Sequence, residues 1–228
     1  CSALYDFCRE ADNIADDANQ IEIKKDNFIK FRNNFVNKNY DDPVIKNMWD
    51  LINEFSISTK IVDDLFEGIN SDIKENVKLN SKKELLIYSY RVAGTVGLMM
   101  AKILNVHKEQ SLKSAIDLGI AMQLTNISRD VMEDKKSNRF YINESFEDIK
   151  NTIKLSEKYY ENSKIMKENL MIFDDFNINF LVFGRKDFDK FRSLEDVDIP
   201  AELKPRFTGF DEDTFRDDIS SSEIRKKE

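Results

Sequence analysis

Two aspartate pairs of equal spacing are the residues best placed to do chemistry together. Asp12 and Asp16 lie in Cys8-Arg-Glu-Ala-Asp-Asn-Ile-Ala-Asp16, and Asp130 and Asp134 in Gln123-Leu-Thr-Asn-Ile-Ser-Arg-Asp-Val-Met-Glu-Asp134. Residues four apart share a helix face, so each pair can present two carboxylates to one divalent cation. Projected at about 100° per residue, Tyr5 and Arg9 join the stripe of the first pair, and Gln123 and Asn126 that of the second. Opposed across a cavity, two such faces would grip a diphosphate through metal ions. Oxygen donors of this kind suit Mg²⁺, or Mn²⁺ in its place, with waters and phosphate oxygens completing the shell.

The competing explanation is a solvated acidic face, since 34% of the chain is charged. Two observations weigh against it. Leu118 to Ser128 is nearly uncharged and predicts a buried segment, at whose end carboxylates need a partner. Arg9 and Arg129 stand beside the pairs, and guanidinium forks suit diphosphate oxygens. Intrahelical ion pairs, Arg9 with Asp12 and Arg129 with Glu133, would account for these arginines equally well. Arg139, in the polar loop after the second pair, reads either as a flap that closes on a leaving group or as a surface arginine. Tyr88 can offer a hydroxyl or a ring face to a cation. Ala93, Gly94 and Gly97 admit either a ligand or a neighbouring helix, and Leu98, Met99 and Met100 would form a soft apolar wall.

The elements that must position these groups read as helices. Only six Gly and three Pro occur in 228 residues, so breakers are scarce. Apolar periodicity predicts helices near 2–18, 26–37, 44–56, 57–75, 82–104, 109–135 and 146–170. Phe28, Phe31 and Phe35 face inward on the second, and Ile45, Met48, Trp49, Ile52 and Phe55 on the third. Ser81 to Glu84 suggests a capping box. From 172 the character changes: residues 174–228 hold 15 Asp and Glu against 10 Lys and Arg, many Phe, and no sustained helical period. The expected organisation is a helical domain over 1–171 and an atypical acidic segment over 172–228. A start at Cys1 predicts an N-terminally incomplete sequence.

The net charge of −8 argues against nucleic acid as a partner. Two cysteines are too few for a disulfide framework, which predicts a reducing, cytoplasmic setting; Cys8 should pack as a small apolar residue. A single histidine, His107, removes His-based metal sites, and no phosphate-binding glycine loop is present.

Tyr5 to Asp17, Tyr88 to Met100, Ala115 to Asp134 and Asn138-Arg-Phe-Tyr141 together resemble the squalene/phytoene synthase family over roughly residues 1–165, most closely its bacterial phytoene synthases. The resemblance implies an all-α, isoprenoid synthase-type helical bundle around a central cavity, and an Mg²⁺-dependent prenyltransferase. The implied reaction is head-to-head condensation of two geranylgeranyl diphosphates through a cyclopropyl diphosphate to phytoene, with release of diphosphate and without NADPH. Squalene or dehydrosqualene synthesis from farnesyl diphosphate is the alternative within the family, the squalene synthases using NADPH. A non-catalytic assembly or binding protein is the alternative outside it. Carried over, Asp12, Asp16, Asn126, Asp130 and Asp134 would hold metal; Tyr5, Arg9, Gln123, Arg129 and Arg139 would contact diphosphate or substrate; Tyr88 would sit near the reacting carbons. A hydrocarbon product implies peripheral contact with a membrane. Asn13 stands where the family usually has a further aspartate, and neither the family's segment before Tyr5 nor its C-terminal helices are recognisable.

Overall fold

The computed structural model describes residues 1–17, 20–163, 179–187, 190–197, 199, 201, 204–210 and 213. The chain divides into two compact units, Cys1–Lys164 and Ile165–Glu228.

The first unit is a helical bundle. Helices α1 (Ser2–Asp16), α2 (Ile21–Val36), α3 (Pro43–Glu54) and α4 (Thr59–Asp72) follow one another before a two-residue strand, β1 (Val77–Lys78). Then come α5 (Lys82–Ser89), a π-helical turn (Tyr90–Gly94), α6 (Thr95–Ile103), α7 (Glu109–Arg129), α8 (Val131–Lys136), β2 (Arg139–Phe140) and α9 (Phe146–Ser163). Local chemistry sets several of these boundaries. Asp42 accepts hydrogen bonds from the Val44 and Ile45 amides with Pro43 in the first turn of α3, the proline's missing N–H being one that a helix start leaves unpaired anyway. Ser81 caps α5 through the Glu84 amide, while the Glu84 carboxylate takes the Asn80 amide and not that of Ser81, a variant of the expected box.

Two apolar clusters hold the bundle. Phe7 of α1 packs against Phe31, Phe35 and Phe66, with ring centroids 5.3 to 5.9 Å apart, and Phe35 stacks on Trp49 at 5.0 Å. Phe28, Phe31, Phe35, Ile45, Met48, Trp49 and Ile52 are buried as the periodicity predicts, whereas Phe55 ends its helix half-buried. The second cluster joins Val77, Leu85, Tyr88, Ile120, Leu124, Ile127 and Tyr141. Gly97 lets α6, and Gly119 the π turn, close on α7: a Cβ on Gly97 would strike the Ala115 carbonyl oxygen, and one on Gly119 the Ala93 carbonyl oxygen. Helix packing thus explains these small residues.

Three features depart from the expected elements. The helix over 82–104 carries the π turn, and the helix over 109–135 breaks at Asp130, whose φ of −100° and ψ of 12° separate α7 from α8. Strands β1 and β2 pair in parallel, Val77 with Arg139 and Lys78 with Phe140, which ties the loop after the second aspartate pair to the end of α4. Among the described residues no helix is long and apolar enough to cross a membrane.

In the second unit, β3 (Phe180–Phe183) pairs in parallel with β6 (Phe207–Phe210), and β4 (Arg185–Asp187) pairs antiparallel with β5 (Lys190–Arg192). Phe180 stacks on Phe207 at 4.6 Å and Phe183 on Phe210 at 4.8 Å. The phenylalanines noted in the sequence there include these cross-strand partners, in runs too short to show a strand period.

Candidate functional site

One face of α1 carries Tyr5, Arg9, Asp12 and Asp16 in the predicted stripe. Tyr5, Arg9 and Asp12 line a cavity of about 310 Å³ together with Cys8, Ala15, Leu65, Ile69, Asp72, Tyr88, Val92, Val96 and Gln123. Residues from α1, α4, α5, the π turn, α6 and α7 therefore meet around one space. Its apolar wall is Leu65, Ile69, Val92 and Val96, and not the expected Leu98 to Met100: Met99 is fully buried in the first cluster and Leu98 and Met100 pack against it.

Arg139 is not a surface arginine. Its side chain is 18% exposed, with Nη1 2.8 Å from Asp16 Oδ1, and Nη2 donates to the Ala15 carbonyl at 3.2 Å. The parallel β1–β2 pair holds it there, so the loop after the second aspartate motif reaches the end of the first. Asp134 lies within electrostatic reach of Arg139, Asp130, Asp72 and Asp16; burial, then the Asp130 charge, push it up to about 6, while Arg139 pulls it back. Burial opposes the charge on Arg139, but the Asp16 and Asp72 carboxylates hold it in its charged form. Several carboxylates thus gather around one arginine, leaving negative charge in excess.

The remaining predicted residues lie at the end of α7. Arg129 pairs bidentately with Asp130, at 2.7 and 2.6 Å, and not with Glu133. Arg9 approaches Asp12 only at 3.9 Å, both side chains being about half exposed. Asn126 is exposed, and neither it nor Arg129 lines the cavity. The segment 118–128 is buried along one side only: Leu118 is 39% and Met122 53% exposed, because only one side of the helix packs inward. Cys8 behaves as a packed apolar residue, its thiol pushed up to about 12 by burial and then by the Asp12 charge.

Asp72 lies in none of the motifs quoted from the sequence, and Tyr141 was given no role there. Asp72, the last residue of α4, accepts the Tyr88 hydroxyl at 2.7 Å and the Tyr141 hydroxyl at 2.8 Å, one on each carboxylate oxygen. The two rings stack at 4.7 Å with their hydroxyls 3.0 Å apart. Burial pushes Asp72 up to about 6, against the pull of the two hydroxyls and Arg139. A signal existed: an aspartate at the C-terminal end of a helix opposes the helix dipole and calls for a compensating partner.

Among the described residues no three His, Cys, Asp or Glu side chains form a ready-made metal cage. The donor set still fits hard cations, since all its members are oxygens and the carboxylates around Arg139 exceed the positive charge there.

The squalene/phytoene synthase family matches over residues 1–146. The chain belongs to this family. The 15-cis-phytoene synthase of Pantoea ananas is 32% identical over 151 residues, covering 61% of this chain and 48% of that protein. The phytoene synthase of Cereibacter sphaeroides is 34% identical over 151 residues, covering 61% and 42%. Phytoene synthase 1 of Zea mays, a chloroplastic protein, is 34% identical over 152 residues, covering 61% and 36%. The chain therefore spans less than half the length of each of these three relatives. A crystal structure of a dehydrosqualene synthase in complex with ligand superposes with a TM-score of 0.59 at 27% identity, covering 77% of this chain and 66% of that one. A squalene synthase from Alicyclobacillus acidocaldarius gives 0.58 at 15% identity, over 75% and 71%, a likeness of fold alone. The all-α, isoprenoid synthase-type fold expected from the motifs is the fold of these neighbours.

Proposed function

We propose that the chain carries the diphosphate-ionising site of a phytoene synthase-like prenyltransferase, which condenses two geranylgeranyl diphosphates head to head through a cyclopropyl diphosphate and releases diphosphate. The observation that carries this reading is the convergence of both aspartate motifs on Arg139 beside a cavity lined by Tyr5, Arg9, Asp12, Tyr88 and Gln123. A scaffold or binding protein has no use for that excess of carboxylates, which costs stability unless a cation joins it.

Asp12, Asp16, Asn126, Asp130 and Asp134 would hold Mg²⁺, or Mn²⁺, which when bound neutralises charge on the departing diphosphate. Arg9 and Gln123 offer donors to diphosphate oxygens at the cavity, and Tyr5 stands exposed among the lining residues. Arg129 and Arg139 supply fixed positive charge on the side of the second motif. Tyr88 places a ring and hydroxyl on the cavity wall, where an allylic cation would be stabilised, and Val92, Val96, Leu65 and Ile69 keep water from quenching it. A volume of about 310 Å³ is at the small end of ligand pockets and suits a diphosphate head with its first isoprene units. Release of a hydrocarbon favours work at a membrane surface from the cytoplasmic side.

The likeness to a dehydrosqualene synthase supports a second reading, condensation of farnesyl diphosphate. Incubation of the protein with geranylgeranyl or farnesyl diphosphate and Mg²⁺, with and without NADPH, followed by identification of the hydrocarbon, separates the two. Phytoene without NADPH is the expected product. Squalene or dehydrosqualene from farnesyl diphosphate, with no phytoene under any condition, overturns the choice of substrate. No Mg²⁺-dependent binding of a prenyl thiodiphosphate overturns the transferase reading in favour of a scaffold.

A further inference from the structure

Asp72 belongs to neither aspartate motif, yet it stands where the two halves of the site meet. Its carboxylate faces the cavity while its two oxygens take the hydroxyls of Tyr88, 16 residues away, and Tyr141, 69 residues away. The three groups come from the end of α4, from α5 and from the chain just after β2, so the contact joins segments far apart in the sequence.

We propose that Asp72 is a positioning residue that fixes the hydroxyl orientation of the stacked Tyr88–Tyr141 pair, leaving the Tyr88 oxygen with lone pairs alone to offer a cationic substrate. A phenol has one proton and two lone pairs. With both hydroxyl protons committed to the Asp72 carboxylate, neither tyrosine can donate to a third group, so Tyr88 cannot protonate a leaving group or an alkene. Its oxygen and ring present only negative potential towards developing positive charge, and the orientation is set before substrate arrives. The surroundings support this arrangement. Arg139 lies close enough to help hold Asp72 in its charged, accepting form, and burial followed by the Asp72 charge pushes Tyr88 well above the usual phenol range. Ring stacking at 4.7 Å keeps both hydroxyls level with the carboxylate.

The catalytic consequence rests on the proposed prenyltransferase reading, whereas the hydrogen-bond pattern does not, and one set of variants tests both. Proton NMR of the substrate-free full chain, with protonated tyrosine in a deuterated background, should show two exchange-protected downfield hydroxyl signals, assigned by Tyr88→Phe and Tyr141→Phe. Asp72→Asn keeps the shape but replaces one acceptor oxygen with a donor amide, so one of the two signals should be lost or move upfield. Both signals unchanged in Asp72→Asn would overturn the proposal. In turnover assays Asp72→Asn should lower kcat by about a hundredfold with KM within about twofold, and the Asp72→Asn/Tyr88→Phe double variant should be no slower than Tyr88→Phe. Full kcat in Asp72→Asn, or additive losses in the double variant, would also overturn it. Should Asp72→Asn fail to fold, Tyr141→Phe serves in its place: it keeps the stacked ring, should retain the Tyr88 signal alone, and should lower kcat by about tenfold. A wild-type chain that shows both signals but turns over no prenyl diphosphate removes the transferase reading, and the hydroxyl signals then decide the orientation by themselves.

Discussion

At the scale of single residues, the burial of Asp72 dictates a pH response. Asp72 rises from its ordinary 3.8 to about 6 on folding, so the folded state holds a proton that the unfolded state has released. Stability from this group is fully present below about pH 4 and is lost as pH rises through 6, by at most about 3 kcal/mol for two pKa units. Asp134 shifts in the same direction. The melting temperature of Asp72→Asn should therefore gain on wild type between pH 4.5 and 7, and a difference independent of pH would refute this account. Cys8 gives a second prediction. With its thiol near 12 it is almost wholly protonated at pH 8, so iodoacetamide should modify exposed Cys1 at least about a hundredfold faster; equal rates, followed by peptide mass spectrometry, would contradict the packing described. The stripe of Tyr5, Arg9, Asp12 and Asp16 was legible in the sequence because helical spacing is local, whereas the second stripe crosses the break at Asp130. Asp72 was not, since its partners lie 16 and 69 residues away and no local period connects them.

At the scale of elements, the approach of α7 to the π turn sets two effects against each other. Gly119→Ala gains about 1 kcal/mol of helix propensity, but its Cβ would meet the Ala93 carbonyl oxygen and the Gly94 Cα, both backbone atoms. Backbone cannot swing aside as a flexible side chain can, and overpacking typically costs about 1 to 3 kcal/mol. The net expectation is a lower denaturant midpoint at unchanged m-value, and a more stable Gly119→Ala protein would show that the helices can separate at little cost. The helices were legible for the same reason that this contact was only half legible: the glycines were visible, but the choice between ligand and helix as their neighbour is tertiary. The break at Asp130 involves no Gly or Pro. The β1–β2 pair is two residues long, too short for any alternation to register, yet together with the Tyr141–Asp72 hydrogen bond it brings Arg139 to Asp16.

At the scale of the whole molecule, both apolar clusters and the carboxylate cluster are assembled within the first unit. The clusters draw on residues from Leu4 to Tyr159, and the hydrogen bonds joining Asp72, Tyr88, Tyr141, Arg139 and Ala15 all close within the same span. A piece of about 160 residues is large enough to bury a core of its own. Residues 1–164 expressed alone should therefore keep the helical circular dichroism of the full chain, unfold cooperatively in urea and retain the two protected tyrosine hydroxyl signals. The m-value separates the outcomes, since it scales with the surface exposed on unfolding. A single transition with an m-value reduced only in proportion to chain length means that the site is built by the helical unit itself. A broad transition with exposed apolar surface and no protected hydroxyls would mean that residues 1–164 do not fold by themselves.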